Sequence, residues 1–483
     1  MDNTTWASMQ PAIAEISLAT AICALLMFDV FTGARRRLTA VSSLLLLAIC
    51  AGLTCTLGHV ESRTLLFGGL YVADPLSVWL KLFGFVSVGL GLFYSGAYLE
   101  RQGIRGGEYY VLALTALLGI CVLASANSLL TVYIGVELLS LSLYALVAFD
   151  RDNGIAAEAA IKYFVLGAIA SGVMLYGMSL LYGLTGTLDL DRLSMAALGP
   201  STASSAGIVI AVSFIVVAVA FKFGAVPFHM WVPDVYSGAP ASVTLLLATA
   251  PKLGSFALAA RLLTHGLQSD PQAWTQMLTI VAALSLVLGN VVAIAQTSIR
   301  RMLAYSAIAN VGFLLLGFVP ASNAAYASAL NYTLIYVLTA LASFGCVLLA
   351  AHASGEAEEL SDYKGLAVRD PKLAALLAIA MLSTAGIPPF AGFWAKLWVI
   401  QALLSGHFLW LALLAMLTSV IGAYYYLRVV WYLYFEPGTD AAGIERQPLL
   451  RGVLAINCLA LLALGVLPGA LLKLCASLFN SFR

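Results

Sequence analysis

The sequence predicts an all-α polytopic membrane protein of about fourteen transmembrane helices, with two inverted five-helix repeats. Three observations lead to this prediction. The 483-residue chain is 62% hydrophobic and 10% charged, with a mean hydropathy of +0.97, whereas a soluble domain carries about 25% charged residues. Apolar stretches long enough to cross a bilayer recur along its whole length. One short element, GAVPF at 224–228, returns as GIPPF at 386–390.

The composition also excludes several classes of function. A net charge of +1 argues against a nucleic-acid partner and leaves lipids as the expected surroundings. The seven cysteines are scattered, and no CxxC motif or Cys/His cluster appears. We therefore expect no metal site and no bound cofactor in this chain. The first residues, MDNTTWASMQPAIAEI, lack a basic region, so we interpret the first apolar stretch as a retained span.

A span needs about 20 mostly apolar residues. Stretches of this kind, numbered spans 1 to 14, lie at 12–32, 38–58, 75–96, 109–126, 128–148, 158–184, 206–235, 241–264, 273–295, 302–319, 327–351, 372–404, 408–434 and 450–475. Span 7 is interrupted by FGAVPF, and span 12 by AGIPPF. Proline removes a backbone hydrogen bond, so we expect both spans to be broken helices. The breaks are predicted at Gly224, Pro227, Gly386, Pro388 and Pro389.

Loop charges predict the orientation, because short cytoplasmic loops collect Lys and Arg. The first connection holds three arginines, which places it in the cytoplasm. Counting alternate loops from there, the inner side collects Arg35, Arg36, Arg37, Arg101, Arg105, Arg151, Arg300, Arg301, Lys364, Arg369, Lys372, Arg446 and Arg451. The outer side collects Arg63, Arg192, Arg261, Lys473 and Arg483. An even number of spans then puts both termini outside.

The two broken spans are five apart and so cross the membrane in opposite directions. This is typical of inverted-topology repeats, in which discontinuous helices mark a transport site near the midplane. Irregular backbone at that depth is tolerated only when it is buried in protein or lines a cavity. The chain is thereby divided into residues 1–104 with spans 1–3, a first repeat at 105–268, an inverted second repeat at 269–436 and span 14 at 437–483.

Four charges lie inside predicted spans, namely Glu137, Lys222, Lys252 and Lys396. A charge near the bilayer centre costs about 2.5–3.5 kcal/mol on insertion scales, so each is a candidate functional residue. One alternative is a static buried ion pair between Glu137 and Lys222. One acid cannot neutralise three lysines, however, and burial makes a lysine easier to deprotonate. A chain of such groups is suited to moving protons.

Other charges have simpler interpretations. Lys81, Arg428 and Asp29 lie near span ends, where we expect the side chains to reach the interface. Lys162 lies at the start of span 6, where its side chain either reaches the interface or takes part in a proton relay. His229 is suited to proton transfer near neutral pH, but a lone histidine is as often a structural group. Asp234 has the position of a helix cap.

Several segments resemble one known family. FKFGAVPFHMWVPDVYSGAPASVTLLLATAPKLGSF (221–256) is similar to the core of the antiporter-like, proton-translocating subunits of respiratory complex I and of Mrp-type Na⁺/H⁺ antiporters. VELLSLSLYALVAF (136–149), SIRRMLAYSAIANVGF (298–313) and AGIPPFAGFWAKLWV (385–399) resemble the same family in the same order. Lys396 in span 12 and the stretch EELSDYKGLAVRDP resemble the family branch nearest the quinone-side membrane subunits.

The resemblance implies roles and partners. It implies that Glu137, Lys222, Lys252 and Lys396 form the proton path, entered from the cytoplasm near Lys222 and left towards the periplasm near Lys396. It also implies a place in the bacterial inner membrane, beside a neighbouring antiporter-like subunit and the small quinone-side membrane subunits. NADH, FMN, iron–sulfur clusters and quinone would be bound by other subunits. The alternatives are an Mrp-type cation/proton antiporter subunit, a membrane subunit of a hydrogenase or formate-hydrogen-lyase complex, and a structural anchor.

Overall fold

Helices that cross the membrane make up most of the chain. The computed structural model describes residues 9–32, 36–58, 63–104, 107–196, 205–350, 357–438 and 447–480. In these ranges twelve helices are long and apolar enough to span a bilayer. The shorter helix Glu108–Ala124 and the broken pair Pro371–Ala385 and Ala391–Ser405 provide two further crossings. The prediction of an all-α protein with about fourteen spans is confirmed.

The unbroken spans have clear bounds. They are Ile13–Thr32, Arg36–Leu57, Pro75–Arg101, Glu108–Ala124, Leu129–Val147, Gly154–Thr185, Gln272–Ile294, Ile299–Leu316, Asn323–Ala350, Leu409–Tyr434 and Pro448–Val466. Span 7 consists of Ser205–Phe223 and Trp231–Gly238, and span 12 of Pro371–Ala385 and Ala391–Ser405. Span 8 consists of Ala241–Ala248 and Ala250–Ala259, and continues as a π-helix over Ala260–Gly266.

Short elements lie between the spans. The helices are Leu190–Ala196, Leu366–Arg369 and Gly469–Asn480, and the 3₁₀ turns are Gln10–Ala12, Phe67–Gly69 and Leu360–Tyr363. Strands β1 (Thr64–Leu66) and β2 (Tyr71–Ala73) form an antiparallel hairpin, which the sequence analysis did not predict.

Capping side chains fix where several spans begin. Asp74 accepts from the Ser77 N–H in a capping box, with proline at the first helical position of span 3. Asn153 caps span 6, and Ser298 caps span 10. Asp370 caps span 12, which also begins with a proline. Each cap satisfies a backbone N–H that the helix itself leaves unpaired.

The spans end on two sides of the protein, and on each side backbone contacts join the loops. The side that carries Arg101, Arg151, Arg300 and Arg301 is called the basic side. A β-bridge between Ser298 and Glu359 joins two of its loops. On the opposite side, bridges Tyr71–Ala126 and Ser128–Asp189 join the hairpin to the loops after spans 4 and 6. Arg35, Arg105, Arg446, Arg483 and both termini lie outside the described residues.

The two halves share the same close helix pair. A Cβ added to Gly119 of span 4 would lie 2.6 Å from the Leu139 nitrogen of span 5. A Cβ added to Gly289 of span 9 would lie 2.6 Å from the Ala309 nitrogen of span 10. Only glycine permits such an approach of two backbones. Leu139 and Ala309 therefore occupy equivalent positions in the two halves.

Two boundaries differ from the prediction. Span 8 was expected to be continuous, but it breaks at Thr249, whose φ and ψ are −117° and −93°. Span 14 was expected to reach residue 475, but it ends at Val466 and a separate helix, Gly469–Asn480, packs beside span 11. Prolines explain both, since Pro251 follows the first break and Pro468 lies in the second.

The interface positions predicted for Lys81 and Asp29 were wrong. Lys81 is only 2% exposed; it forms an ion pair with Glu15 of span 1 and donates to the Tyr71 hydroxyl over 2.8 Å. Asp29 is 6% exposed and accepts from Thr39 over 2.8 Å. Arg428 lies at the end of its span as expected, where it donates to the Ile294 carbonyl.

One buried and one partly exposed charge pair connect elements on the opposite side. Arg261 and Asp74 form a bidentate pair at 2.6 and 2.9 Å, with both side chains at most 2% exposed. Asp191 pairs with Arg63 at 2.6 Å and accepts from Asn127. Burial alone would raise the pKa of Asp191, but the hydrogen bonds from Arg63 and Asn127 hold it below its usual value.

Candidate functional site

The break in span 7 leaves a backbone carbonyl without its helical partner. The Phe223 carbonyl would normally accept from the residue four positions on, but that residue is Pro227, which has no N–H. Lys252 of span 8 provides the missing donor, with its Nζ 2.7 Å from the Phe223 oxygen. The Ser255 hydroxyl donates to the neighbouring Lys222 carbonyl over 3.1 Å. The broken helix end is thus completed by span 8.

The break in span 12 has the same construction. Four residues after Ala385 stands Pro389, so the Ala385 carbonyl is also left unpaired. Lys396 Nζ donates to this carbonyl over 2.9 Å and to the Ser419 hydroxyl over 3.0 Å. Here the lysine comes from the second half of the same span. Gly224 and Gly386, with φ of 77° and 85°, begin the two breaks at equivalent positions.

Lys222 and Glu137 do not form the direct ion pair that was considered. Lys222 Nζ donates to the Ser140 hydroxyl over 2.6 Å, and Ser140 in turn donates to the Val136 carbonyl over 2.5 Å. One oxygen of Glu137, Oε1, is buried and has no hydrogen-bond partner among the described residues. Ser140 lies one turn from Glu137 on the same face of span 5, so Lys222 contacts the helix that carries the acid through the serine.

The central lysines differ from the structural lysine of span 3. Lys252 is 2% exposed and Lys396 9% exposed, yet in the described ranges neither lies within 4.0 Å of a carboxylate. Lys81, equally buried, has its carboxylate partner in Glu15. A buried charge is normally paired. Lys252 and Lys396 therefore complete the broken helix ends without the carboxylate partner that Lys81 has.

Lys162 and His229 lie towards the basic side. Lys162 is half-exposed and pairs with Glu158 at 2.8 Å and with Asp234 at 3.0 Å. Asp234 thus takes part in an ion pair rather than capping a helix. His229 lies between the two halves of span 7, partly exposed, and no hydrogen bond joins it to Glu137, Lys222, Lys252 or Lys396 in the described part of the chain. Over the same residues, no group of three His, Cys, Asp or Glu is placed to hold a metal ion.

Sequence reasoning missed the groups that hold the lysines. Ser140 had a signal, because it lies three residues after Glu137 and shares its helix face. The Phe223 and Ala385 carbonyls also had a signal in the sequence, because a proline follows each of them four residues later. Ser419 had none, since span 13 contains nothing that marks one serine above another.

Known proteins share this architecture. The family model described as NADH:quinone oxidoreductase/Mrp antiporter, TM, matches residues 126–422. NADH-quinone oxidoreductase subunit N of Herminiimonas arsenicoxydans is 48% identical, with 97% of each chain aligned. A chain of respiratory complex I from Thermus thermophilus with bound aureothin is 32% identical with a TM-score of 0.80, covering 96% of this chain and 99% of that one.

A chain of the Mrp complex from Dietzia sp. DQ12-45-1b has a TM-score of 0.85 over 99% of this chain and 97% of its own, at 21% identity. At that identity it shows a common fold. The full-length similarity to subunit N at 48% identity separates this chain from the antiporter alternative. The chain belongs to the family of NADH-quinone oxidoreductase subunit N, antiporter-like membrane subunits of respiratory complex I.

Proposed function

We propose that this subunit translocates protons through Glu137, Lys222, Lys252 and Lys396, driven by quinone reduction elsewhere in the complex. One observation carries the proposal: Lys252 and Lys396 each donate to a carbonyl freed by a helix break, with no described carboxylate in ion-pair range. A carbonyl accepts a hydrogen bond from an ammonium and from a neutral amine alike. Such a site holds the lysine in either protonation state.

Protons enter from the basic side, which we propose faces the cytoplasm. Lys162, Asp234 and His229 lie there, at the end of span 7, and would deliver protons towards Lys222. The proton then passes to Lys252 and on to Lys396, from which it leaves to the periplasm. Glu137 acts electrostatically on Lys222, and a change in their separation would release or recapture the proton.

Membership of the family supports a proposal for the surroundings of this chain. We propose repeat units at 105–268 and 269–436, a location in the bacterial inner membrane and both termini in the periplasm. The neighbours are another antiporter-like subunit and the small quinone-side membrane subunits, while NADH, FMN, iron–sulfur clusters and quinone bind to other subunits. The equivalent breaks at Gly224 and Gly386 support this division.

The test is proton translocation by the complete complex in proteoliposomes. Lys252→Ala and Lys396→Ala should each abolish most NADH-driven proton transport, with the complex assembled. Lys372→Ala, an exposed lysine at the start of span 12, is the matched control and should transport normally. Normal transport in both buried variants would overturn the proposal. Na⁺ efflux without NADH oxidation would favour the antiporter instead.

A further inference from the structure

A cluster of three titratable side chains joins separate elements on the side opposite the basic side. Arg63 precedes strand β1, Asp191 belongs to the helix Leu190–Ala196, and His265 belongs to the π-helix that continues span 8. Arg63 Nη2 lies 2.6 Å from Asp191 Oδ1, and His265 Nε2 lies 2.8 Å from the same oxygen. The two nitrogens are 3.2 Å apart. One carboxylate oxygen is therefore shared by two nitrogen groups.

The distances indicate which imidazole nitrogen carries a hydrogen. Burial opposes ionisation of Asp191, but hydrogen bonds from Arg63 and Asn127 hold its pKa below the usual value, so it is a carboxylate at neutral pH. A carboxylate only accepts hydrogen bonds. Without a hydrogen, Nε2 of His265 would place a lone pair 2.8 Å from another acceptor. We infer that Nε2 carries a hydrogen and donates it to Asp191.

Protonation of His265 would change the balance of charge in the cluster. An imidazolium and the Arg63 guanidinium would then share one carboxylate oxygen at a separation of 3.2 Å, and like charges this close repel. The other charged neighbours do not relieve the repulsion. Arg261, on the same π-helix as His265, adds a positive charge, and Asp74 of span 3 is already bound to Arg261 through both oxygens. Protonation thus adds positive charge where the carboxylates already have cationic partners.

Arg63 is the group that can leave the shared oxygen. Its side chain is 24% exposed, whereas that of His265 is 9% exposed. Arg63 also donates to Asn127 Oδ1 over 3.0 Å, so it keeps one acceptor and gains water when it moves away. A charge on the more deeply buried His265 depends more strongly on Asp191. The imidazolium should therefore displace the guanidinium.

The cluster connects the hairpin to the span that carries Lys252. Span 8 passes from Ala250–Ala259 into the π-helix Ala260–Gly266, in which the Leu267 N–H donates to the Leu262 carbonyl, five residues earlier, over 2.9 Å. Segments of π-helix within α-helices are rare and occur frequently at functional sites. Loss of the Arg63 contact would loosen the start of the hairpin from the end of this span.

We propose that His265 senses the pH of the compartment that receives the protons. While His265 is neutral, Asp191 holds Arg63 and the hairpin is tied to the end of span 8. When that compartment becomes acidic, a proton from its water forms an N–H bond on the other ring nitrogen, no electron is transferred, and Asp191 exchanges Arg63 for the imidazolium. The hairpin then loosens and translocation slows. The inference rests on the proposed function, which places this side in the periplasm.

The first test is amide hydrogen exchange in strand β1, Thr64–Leu66, of the complete complex. It is measured at about pH 7.5 and about pH 5, on either side of the ordinary histidine pKa of about 6.5, and corrected for the chemical pH dependence of exchange. Exchange in β1 should increase about tenfold or more at the lower pH, the effect of losing a hydrogen bond to a charged group. His265→Gln keeps a neutral N–H donor at both pH values and should show no increase. His407→Gln, at an exposed histidine between spans 12 and 13 on the same side, is the control and should behave as the unmodified protein.

The second test measures NADH-driven proton translocation by proteoliposomes whose lumen, on the periplasmic side of the protein, is set to the same two pH values. The external pH is fixed, and valinomycin with potassium removes the membrane potential. Acidification of the lumen should slow the unmodified complex and the His407→Gln complex more than the His265→Gln complex. Equal slowing of all three would overturn the sensing role.

The outcomes separate this inference from the proton relay. Equal β1 exchange at about pH 5 in the unmodified protein and in His265→Gln would overturn the exchange of partners, whatever the translocation rates. Normal translocation by Lys252→Ala would sink the relay, yet it would leave the exchange measurement unaffected. If His265→Gln does not assemble, Arg63→Gln decides. It lacks the guanidinium charge, so β1 should exchange fast at both pH values, and a remaining pH-dependent increase would contradict the proposal.

Discussion

Replacing Ser140 with alanine tests how the first half holds its proton. Lys222 donates to this hydroxyl over 2.6 Å, and it has no other hydrogen bond in the described structure. A hydrogen bond to a charged group contributes about 1.5–3 kcal/mol. Ser140→Ala should therefore weaken the hold of Lys222 on its proton about 10- to 150-fold, at about 1.4 kcal/mol per factor of ten.

The assay is NADH-driven proton translocation by proteoliposomes that contain the complete complex, compared at equal assembly. The control is Ser142→Ala, two residues along the same helix, whose hydroxyl bonds, within the described ranges, only to the Leu138 carbonyl of its own helix. We expect translocation to fall about tenfold or more in Ser140→Ala and to stay unchanged in Ser142→Ala. Equal rates in the two variants would refute a role of Ser140 in holding the Lys222 proton.

Three further predictions concern other parts of the molecule. Phe313→Ala should increase the passive proton leak of resting proteoliposomes, because it removes a ring whose centroid lies 5.2 Å from Lys396 Nζ. Arg261→Met should lower the free energy of unfolding by about 3–5 kcal/mol, since it leaves Asp74 buried and unpaired, and thermal unfolding in detergent measures this. Asp191→Asn should destabilise the protein near neutral pH, with the difference vanishing as the pH falls through the lowered pKa of that carboxyl.

Control variants and contrary outcomes test these predictions. Phe318→Ala removes a buried ring that packs against Phe256 and Tyr326, and an equal leak in both variants would contradict the Phe313 prediction. Arg192→Ala is the control for Arg261→Met. It replaces an exposed arginine on the same side of the protein and should leave thermal unfolding unchanged. For Asp191→Asn, a stability loss that persists at acidic pH would show that the carboxylate charge is not what stabilises the native state.

Much of the fold was predictable because each helix that spans the bilayer requires about 20 mostly apolar residues. Hydrophobic length gave the spans, and proline in GAVPF and GIPPF gave the two broken helices. Proline also marks the break in span 8 that was not predicted, because Pro251 lies just after that break. The hairpin at 64–73 is short and lies outside the bilayer, where apolar length carries no signal.

The charged residues of the site could be predicted from the sequence, but their hydrogen-bond partners could not. Lys252 and Lys396 stand out because charge inside an apolar span is rare. That each lysine binds the carbonyl orphaned by a proline depends on how spans 7, 8 and 12 pack together. Lys81 has the same local pattern, yet it is a structural residue, because Glu15 from a distant span reaches it. Sequence finds the buried charges; only packing separates paired from unpaired ones.

The most direct measurement distinguishes a lysine that carries protons from one that merely caps a helix. Lys252→Arg keeps a positive donor within reach of the Phe223 carbonyl, but arginine is not deprotonated in proteins. If Lys252 passes protons, the arginine variant should assemble and yet lose NADH-driven proton translocation as completely as Lys252→Ala. Lys372→Arg should translocate normally. A Lys252→Arg complex that translocates protons at the normal rate would contradict the relay and leave Lys252 as a structural cap.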